Sequence, residues 1–286
     1  VFDRYVVVDW SANSSPKLGR DSIWIAVHDR DGSNSVTNLA TRAAAEVFLV
    51  ELFESDTTST TLVGVDFSLG YPQGTAAALG LTGPPWQAMW DVIAEHVTDD
   101  DRNANNRFGV AAAFNRTLTG GPAPFWGCPP SRVAPTLAPT KPRPGGAFAE
   151  WRTVEIQLRA DGHRPFSSWQ LYGAGAVGSQ SLLGIPTIAR LRDRLGERVD
   201  VWPFTTGLAS PTLDHGAVVV AEVWPSMLTL ERVDTVRDAA QVDTTARWLA
   251  ETDRRGDLES LFSPELAPEV SAPAIAEEGW VFGVTR

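Results

Sequence analysis

The sequence predicts an α/β protein built on a mixed sheet, and three observations predict it. Two apolar runs end alike, VVVDWS at residues 6–11 and VGVDFS at residues 63–68, each reading as a buried strand that turns polar at an aspartate. Between them lie two further strand patterns and one helical pattern, so the helix can cross over and set the two aspartate-ended strands parallel. Strand patterns then resume near residue 200, followed by an amphipathic helix and an apolar tail.

Taken in order, residues 4–10 (RYVVVDW) form a β-branched run that enters a Ser/Asn/Pro/Gly-rich stretch at 11–20, a strand leading into a loop. Residues 22–28 (SIWIAVH) give a second strand, and the Asp31-Gly32 turn signal precedes a weaker strand at 36–39, so the first three strands form a meander. Over 41–53, Ala44, Val47, Phe48 and Leu52 fall at helical spacing with Thr41 as N-cap. Residues 62–67 (LVGVDF) make the next buried strand. From 68 to 198 periodicity falls and most prolines gather, which predicts an insertion with helices at 86–96, 107–118 and 188–195 and a proline-rich loop at 134–146. Strands follow at 199–204 and 217–223, a helix at 238–252 and the tail at 279–284. The expectation is a single domain over 1–286, with its core at about 1–67 and 199–286 and the insertion at about 68–198.

A net charge of −11 over 286 residues argues against a broad basic face for duplex nucleic acid, because such affinity comes largely from phosphate neutralisation. Basic residues cluster locally at Lys17 and Arg20, at Arg132, Lys141 and Arg143, and along Arg190, Arg192, Arg194 and Arg198; each cluster also fits a solvated surface. Cys128 is the only cysteine, which excludes an intramolecular disulfide and a cysteine-rich zinc site. No stretch reaches the roughly 20 apolar residues that a bilayer requires, and no secretory pattern opens the chain, so a cytoplasmic location and no membrane partner are expected.

Chemistry concentrates in the acidic residues. If the strands ending at Asp9 and Asp66 are adjacent and parallel, both carboxylates enter the crevice where open α/β sheets bind ligands. Two carboxylates that close repel, and one takes up a proton unless a cation offsets the charge; Mg²⁺, a hard ion that prefers oxygen, suits them. The competing reading makes each aspartate a cap of the following loop. Glu222 interrupts the apolar run AVVVAEV and is either a third ligand or an outward edge residue. On the 238–252 helix, Ala239, Asp243, Ala246 and Ala250 share one face, which favours Asp243 as a fourth ligand; Asp238, three residues before Gln241, resembles a capping box instead.

The order of an aspartate ending strand one, DFSLGYP at 66–72, EVWP at 222–225 and a helical DTTA at 243–246 resembles the family grouped as domain of unknown function 429. That family is similar to ribonuclease-H-like nucleases, so the resemblance implies a ribonuclease-H-like sheet flanked by helices. It also implies Mg²⁺ or Mn²⁺ held by Asp9, Asp66, Glu222 and Asp243 for phosphodiester hydrolysis. DTTA departs from the expected D-A-x-x-A at Thr244. Labels from cobalamin or molybdopterin biosynthesis attached to such proteins find no support in these residues.

Other signals carry less. Gly173-Ala-Gly175-Ala-Val-Gly178 spells a dinucleotide fingerprint without a clear preceding strand, and reads as a phosphate-holding turn or a plain packing turn. The four histidines lack metal-ligand spacing, and the eleven tryptophans serve packing or stacking. The leading expectation is therefore a Mg²⁺- or Mn²⁺-dependent phosphodiester hydrolase, nuclease-like, with Asp9, Asp66, Glu222 and Asp243 catalytic and Lys17, Arg20 and Arg132 nearest the phosphate. Its substrate would be single-stranded nucleic acid or a small phosphorylated molecule. The alternatives are a non-catalytic binding protein and an actin-like nucleotide-binding phosphotransferase, the latter disfavoured by the serine-rich loop after Asp9.

Overall fold

β-branched runs need partners for their backbone groups, and here they pair into one mixed sheet. In the computed structural model, which describes residues 2–142, 148–173, 175–230 and 236–285, β1 (Arg4–Asp9), β2 (Ile23–Asp29) and β3 (Asn34–Leu39) form an antiparallel meander. α1 (Arg42–Ser55) begins where expected, its N-cap Thr41 accepting the Ala44 N–H at 3.1 Å. It crosses over to β4 (Thr61–Val65), which pairs parallel to β1 with Val8 opposite Val65. Far along the chain, β5 (Val199–Val201) and β6 (Val218–Glu222) extend the sheet in parallel, giving the order 3-2-1-4-6-5. This is the ribonuclease-H-like arrangement: an α/β mixed sheet packed between helices. β5 is shorter than expected because the chain turns at Trp202-Pro203, and proline cannot donate to a ladder.

Alternation along the strands sorts the core into two layers. Val6, Val8, Ile25, Val63, Val65 and Val220 face one side, where they meet α1 and helices of the 68–198 segment. That segment supplies α2 (Thr75–Ala78), α3 (Pro85–His96), α4 (Arg107–Leu118) and α6 (Val177–Leu195) to this side, and α5 (Thr153–Ala160), whose Val154 and Leu158 join the other. Tyr5, Val7, Leu62, Val219 and Ala221 face the other side, against α7 (Arg237–Arg254), α8 (Leu258–Phe262) and the tail residues Trp280, Phe282 and Val284. α9 (Pro268–Pro273) leads into a π-helical turn, Ala274–Glu278. No helix among the described residues is long and apolar enough to cross a membrane.

α3 and α4 lie where periodicity places them, but α6 starts at Val177 rather than near 188, and α5 carried no expectation. α6 is buried almost continuously from Gly178 to Ile188 and contains Gly184 and Pro186, so it offers no polar face for a 3.6-residue pattern to reveal. Its glycines allow close approach. A Cβ on Gly184 would lie 2.3 Å from the Phe67 ring, and one on Gly178 would lie 2.3 Å from the Ser168 carbonyl oxygen. Gly184→Ala should therefore overpack the contact beneath Phe67 and cost roughly 1–3 kcal/mol. A lower urea midpoint is the expected result, and an unchanged midpoint would contradict it.

Candidate functional site

Asp9 ends β1, and Asp66 follows β4 with its N–H donating to the Val8 carbonyl at 3.2 Å, so the parallel register delivers both side chains to one place. The two carboxyls hydrogen-bond to each other. Asp66 Oδ1 also accepts the Trp10 N–H at 2.7 Å, and its Oδ2 accepts from Gln180 Nε2 at 3.3 Å. Gln180 reaches them from the first turn of α6 and donates to the Trp10 carbonyl as well. Burial pushes the Asp9 carboxyl well above the usual carboxylate range, and the Asp66 charge pushes it further. Burial also raises Asp66, to about 6, while the hydrogen bonds from Trp10 and Asp9 restrain the rise. The pair therefore retains one shared proton into the neutral range.

This pair sits at the junction of two arms of one crevice beyond the C-terminal ends of β1 and β4. One arm, of about 320 Å³, is lined by Asp66, Arg152, Glu155, Glu222 and Trp224 among others. The wider arm, of about 580 Å³, is lined by Asn13, Asp21, Arg107, Tyr172 and Asp238 among others. Asp9, Gly175 and Gln180 belong to both.

Glu222, at the end of β6, faces this crevice but is held by a residue that sequence reasoning missed. Arg152 grips it from both nitrogens, Nη1 to Oε2 at 2.7 Å and Nη2 to Oε1 at 2.6 Å, and the Leu69 N–H adds a bond to Oε2 at 3.2 Å. Arg152 is fully buried; its Nε donates to Glu155 Oε1 at 3.0 Å and its Nη1 also donates to the Glu278 carbonyl at 2.9 Å. One guanidinium thus serves two buried carboxylates, and burial lifts Glu155 to about 7 despite the arginine beside it. Glu277 and Glu278 complete the wall. Glu277 accepts the Gly74 and Ala76 N–H groups, each at 2.7 Å; Glu278 accepts those of Gln73 and Thr153, at 2.8 and 2.7 Å. The loop after Asp66 is thereby fastened to the first turn of α5.

Asp243 does not join this crevice. Its Oδ1 meets His28 Nε2 at 2.9 Å and its Oδ2 accepts from Arg247 at 2.7 Å. His28 pairs with Tyr5, four residues back along β1 from Asp9, about 13 Å at the rise of a strand. The apolar face of α7 was identified, but the helix runs away from the carboxylate pair, so only its start, Asp238 and Gln241, reaches the crevice. Asp238, in that turn, lines the wider arm and accepts the Asp21 N–H at 2.6 Å, in place of the expected capping box.

The basic residues expected nearest a phosphate also lie elsewhere. Lys17 is half-buried and Arg20 exposed, both pairing with Asp21, at 3.4 and 3.7 Å, and Arg132 is exposed in a single helical turn, Pro130–Arg132. None of the three lines either arm, whereas Arg107 does. Arg143 lies outside the described residues. The glycine-rich turn before α6 is a packing turn: the N–H groups of Val177, Gly178 and Ser179 bond to the carbonyls of Gly175, Gln170 and Ala176.

The donor set fits one hard cation rather than four-carboxylate chemistry. Asp9 and Asp66 bring oxygens together at a point where a proton already offsets their repulsion, and a divalent ion can take the place of that proton. Glu222 is neutralised by Arg152 and Asp243 is remote, and no group of three His, Cys, Asp or Glu side chains among the described residues is arranged to hold a metal. Comparison of the chain with family models, with curated proteins and with solved structures returns no significant match.

The raised carboxyls give the metal-free protein a definite pH dependence. Between the ordinary 3.8 and about 6 the folded state holds protons that the unfolded chain has lost, so the stabilisation is complete in acid and lost as pH rises through about 6. Asp9→Asn keeps a hydrogen bond to Asp66 and removes the repulsion. The metal-free variant should therefore be more stable than wild type at pH 8, by on the order of 1–3 kcal/mol, and melt at a higher temperature, with the difference vanishing near pH 4. Equal melting temperatures at pH 8 would show that the pair carries no such strain.

Proposed function

We propose that the chain is a divalent-metal-dependent phosphodiester hydrolase acting at the Asp9–Asp66 pair on single-stranded nucleic acid or a small phosphorylated substrate, in keeping with its resemblance to domain of unknown function 429. A cytoplasmic location belongs to the same proposal. The observation that carries it is the pair itself: two carboxyls hydrogen-bonded to each other at the ends of adjacent parallel strands, in the floor of a crevice. Mg²⁺ or Mn²⁺ bound there would supply Lewis-acid polarisation of a phosphoryl oxygen and a bound water of lowered pKa. Asp9 and Asp66 would hold it. Gln180 and the Trp10 N–H fix Asp66, while Arg152, bonded to Glu222 and Glu155, forms a rigid wall on one side.

A second reading rests on a different observation. With Glu222 and Asp243 both engaged by basic partners, the protonated pair can act without a metal as a general acid and base, one carboxyl giving a proton while the other accepts. The phosphotransferase alternative is weaker, because the loop after Asp9 is organised by Arg42, which donates to the Ser11 and Asn13 carbonyls at 2.8 Å. Purified protein assayed on labelled single strands, duplexes, RNA–DNA hybrids and small phosphodiesters, with Mn²⁺ or with EDTA, separates these readings. Turnover only with Mn²⁺ supports the first, turnover in EDTA the second, and none on any substrate favours a binding protein.

A further inference from the structure

Arg107 opens α4 and is 7% exposed, yet no carboxylate among the described residues pairs with it. Its Nε donates to Ser179 Oγ at 2.8 Å, and its Nη1 donates to Asn105 Oδ1 at 2.7 Å and Ser14 Oγ at 3.1 Å, all neutral acceptors. Nη2 makes no hydrogen bond to the described protein. The Asp99 carboxylate, whose charge reaches Arg107, is already held by both Nε and Nη2 of Arg42. Burial and the Arg42 charge together lower Arg107 to about 10, as expected of a cation short of counter-charge. The guanidinium also lies over the Phe108 ring, 4.3 Å from its centroid, but a buried guanidinium without a carboxylate is costly, and a planar fork with a nitrogen left for a ligand suits a phosphate oxygen.

The same arm of the crevice presents an aromatic ring. Tyr172 lines it and is 52% exposed, whereas its chain neighbours Trp169 and Leu171 are buried. An exposed ring and a cation lining one arm are the pairing that holds a nucleotide unit, with stacking for the base and charge for the phosphate. Asp21 and Asp238 line the arm as well, and their charge disfavours a polyphosphate.

We propose that Arg107 and Tyr172 form a subsite for one nucleotide unit in the wider arm of the crevice, Arg107 taking the phosphate and Tyr172 the base. The inference rests on the reading of Asp9 and Asp66 as a phosphodiester-cleaving pair, since it names what lies beside the bond they would cleave.

The test is calorimetric titration of the whole chain in Mg²⁺ buffer with AMP and, separately, with ribose 5-phosphate, neither of which contains a diester to hydrolyse. AMP should bind wild type roughly 5- to 150-fold more tightly than ribose 5-phosphate. Tyr172→Ala, a change at an exposed position, should abolish that preference and leave ribose 5-phosphate affinity unchanged. Arg107→Gln should weaken both ligands at least tenfold; if that variant fails to fold, Tyr172→Ala decides alone. Equal affinity of wild type for the two ligands, or an AMP preference that survives Tyr172→Ala, overturns the subsite. An AMP preference that depends on Tyr172, in a protein that cleaves no diester, sustains the subsite and removes the hydrolase reading. Diester cleavage with no effect of Tyr172→Ala on AMP does the reverse.

Discussion

Asp66→Asn should lower metal-dependent diester turnover by on the order of 10²–10⁴-fold while leaving the fold intact. The substitution preserves shape, and Asn Oδ1 can still accept the Trp10 N–H that now bonds Asp66 Oδ1 at 2.7 Å. What it removes is the charge that a divalent ion needs. Wild type should also gain thermal stability from Mg²⁺, about 2.7 kcal/mol at a concentration a hundred times the dissociation constant, and Asp66→Asn should lose most of that gain. Measured together, turnover and metal-dependent melting separate a ligand from a cap, because loss of a cap lowers stability with and without metal alike. Equal turnover by wild type and variant would identify the activity as a contaminant. A preference for duplex over single strands would overturn the argument from the net charge of −11.

Arg152→Met should destabilise the protein by about 3–5 kcal/mol at pH 8. The guanidinium is 1% exposed and stands between the carboxylates of Glu155 and Glu222, which are 2% and 7% exposed, so its removal strands two buried charges. The deficit has a predictable sign with pH. Without the arginine the buried Glu155 carboxyl rises further above its unfolded value, the folded state keeps a proton that the unfolded chain sheds, and stability is lost as pH increases. Chemical denaturation should therefore show a smaller gap between variant and wild type at pH 5 than at pH 8. A gap independent of pH would mean that lost packing, not stranded charge, dominates. Glu222→Gln, which keeps an acceptor for Arg152, should cost much less.

The carboxylate pair was legible because both of its determinants are local. A β-branched run that ends in Asp, occurring twice on either side of one helical pattern, specifies strand, strand end and parallel pairing without distant information. The meander and the start of α1 were legible for the same reason, Thr41 lying beside the turn it caps, but the buried face of α1 carries Ala45, Leu49, Val50 and Phe53, and Val47, expected among its apolar positions, is exposed. Glu222 was correctly placed in a strand, but its partner Arg152 lies 70 residues earlier, at the start of a short helix with no apolar periodicity to announce it. Asp243 shows the limit of helix-face reasoning. The face of α7 was legible, yet position along the helix axis depends on how the helix crosses the sheet, and that places Asp238 rather than Asp243 at the crevice. Arg107 escaped notice because isolation from carboxylates is a property of the folded neighbourhood alone.

The clamp made by Glu277 and Glu278 bears on the birth of the protein as well as on its finished form. Asp9 and Asp66 leave the ribosome well before Glu277 and Glu278, and the 73–76 end of the loop behind Asp66 lacks its carboxylate anchors until those two glutamates, some 200 residues later, reach it. Strand β6 and the Val281 backbone that bridges to Glu222 also arrive late. During synthesis the nascent chain can assemble the meander and α1 from neighbouring sequence, while the crevice waits for contacts of very long sequence separation. A ribosome-stalled chain ending before residue 277 should therefore display a formed sheet edge and an unassembled crevice wall, so that the acidic pair meets solvent before its surroundings are fully shaped.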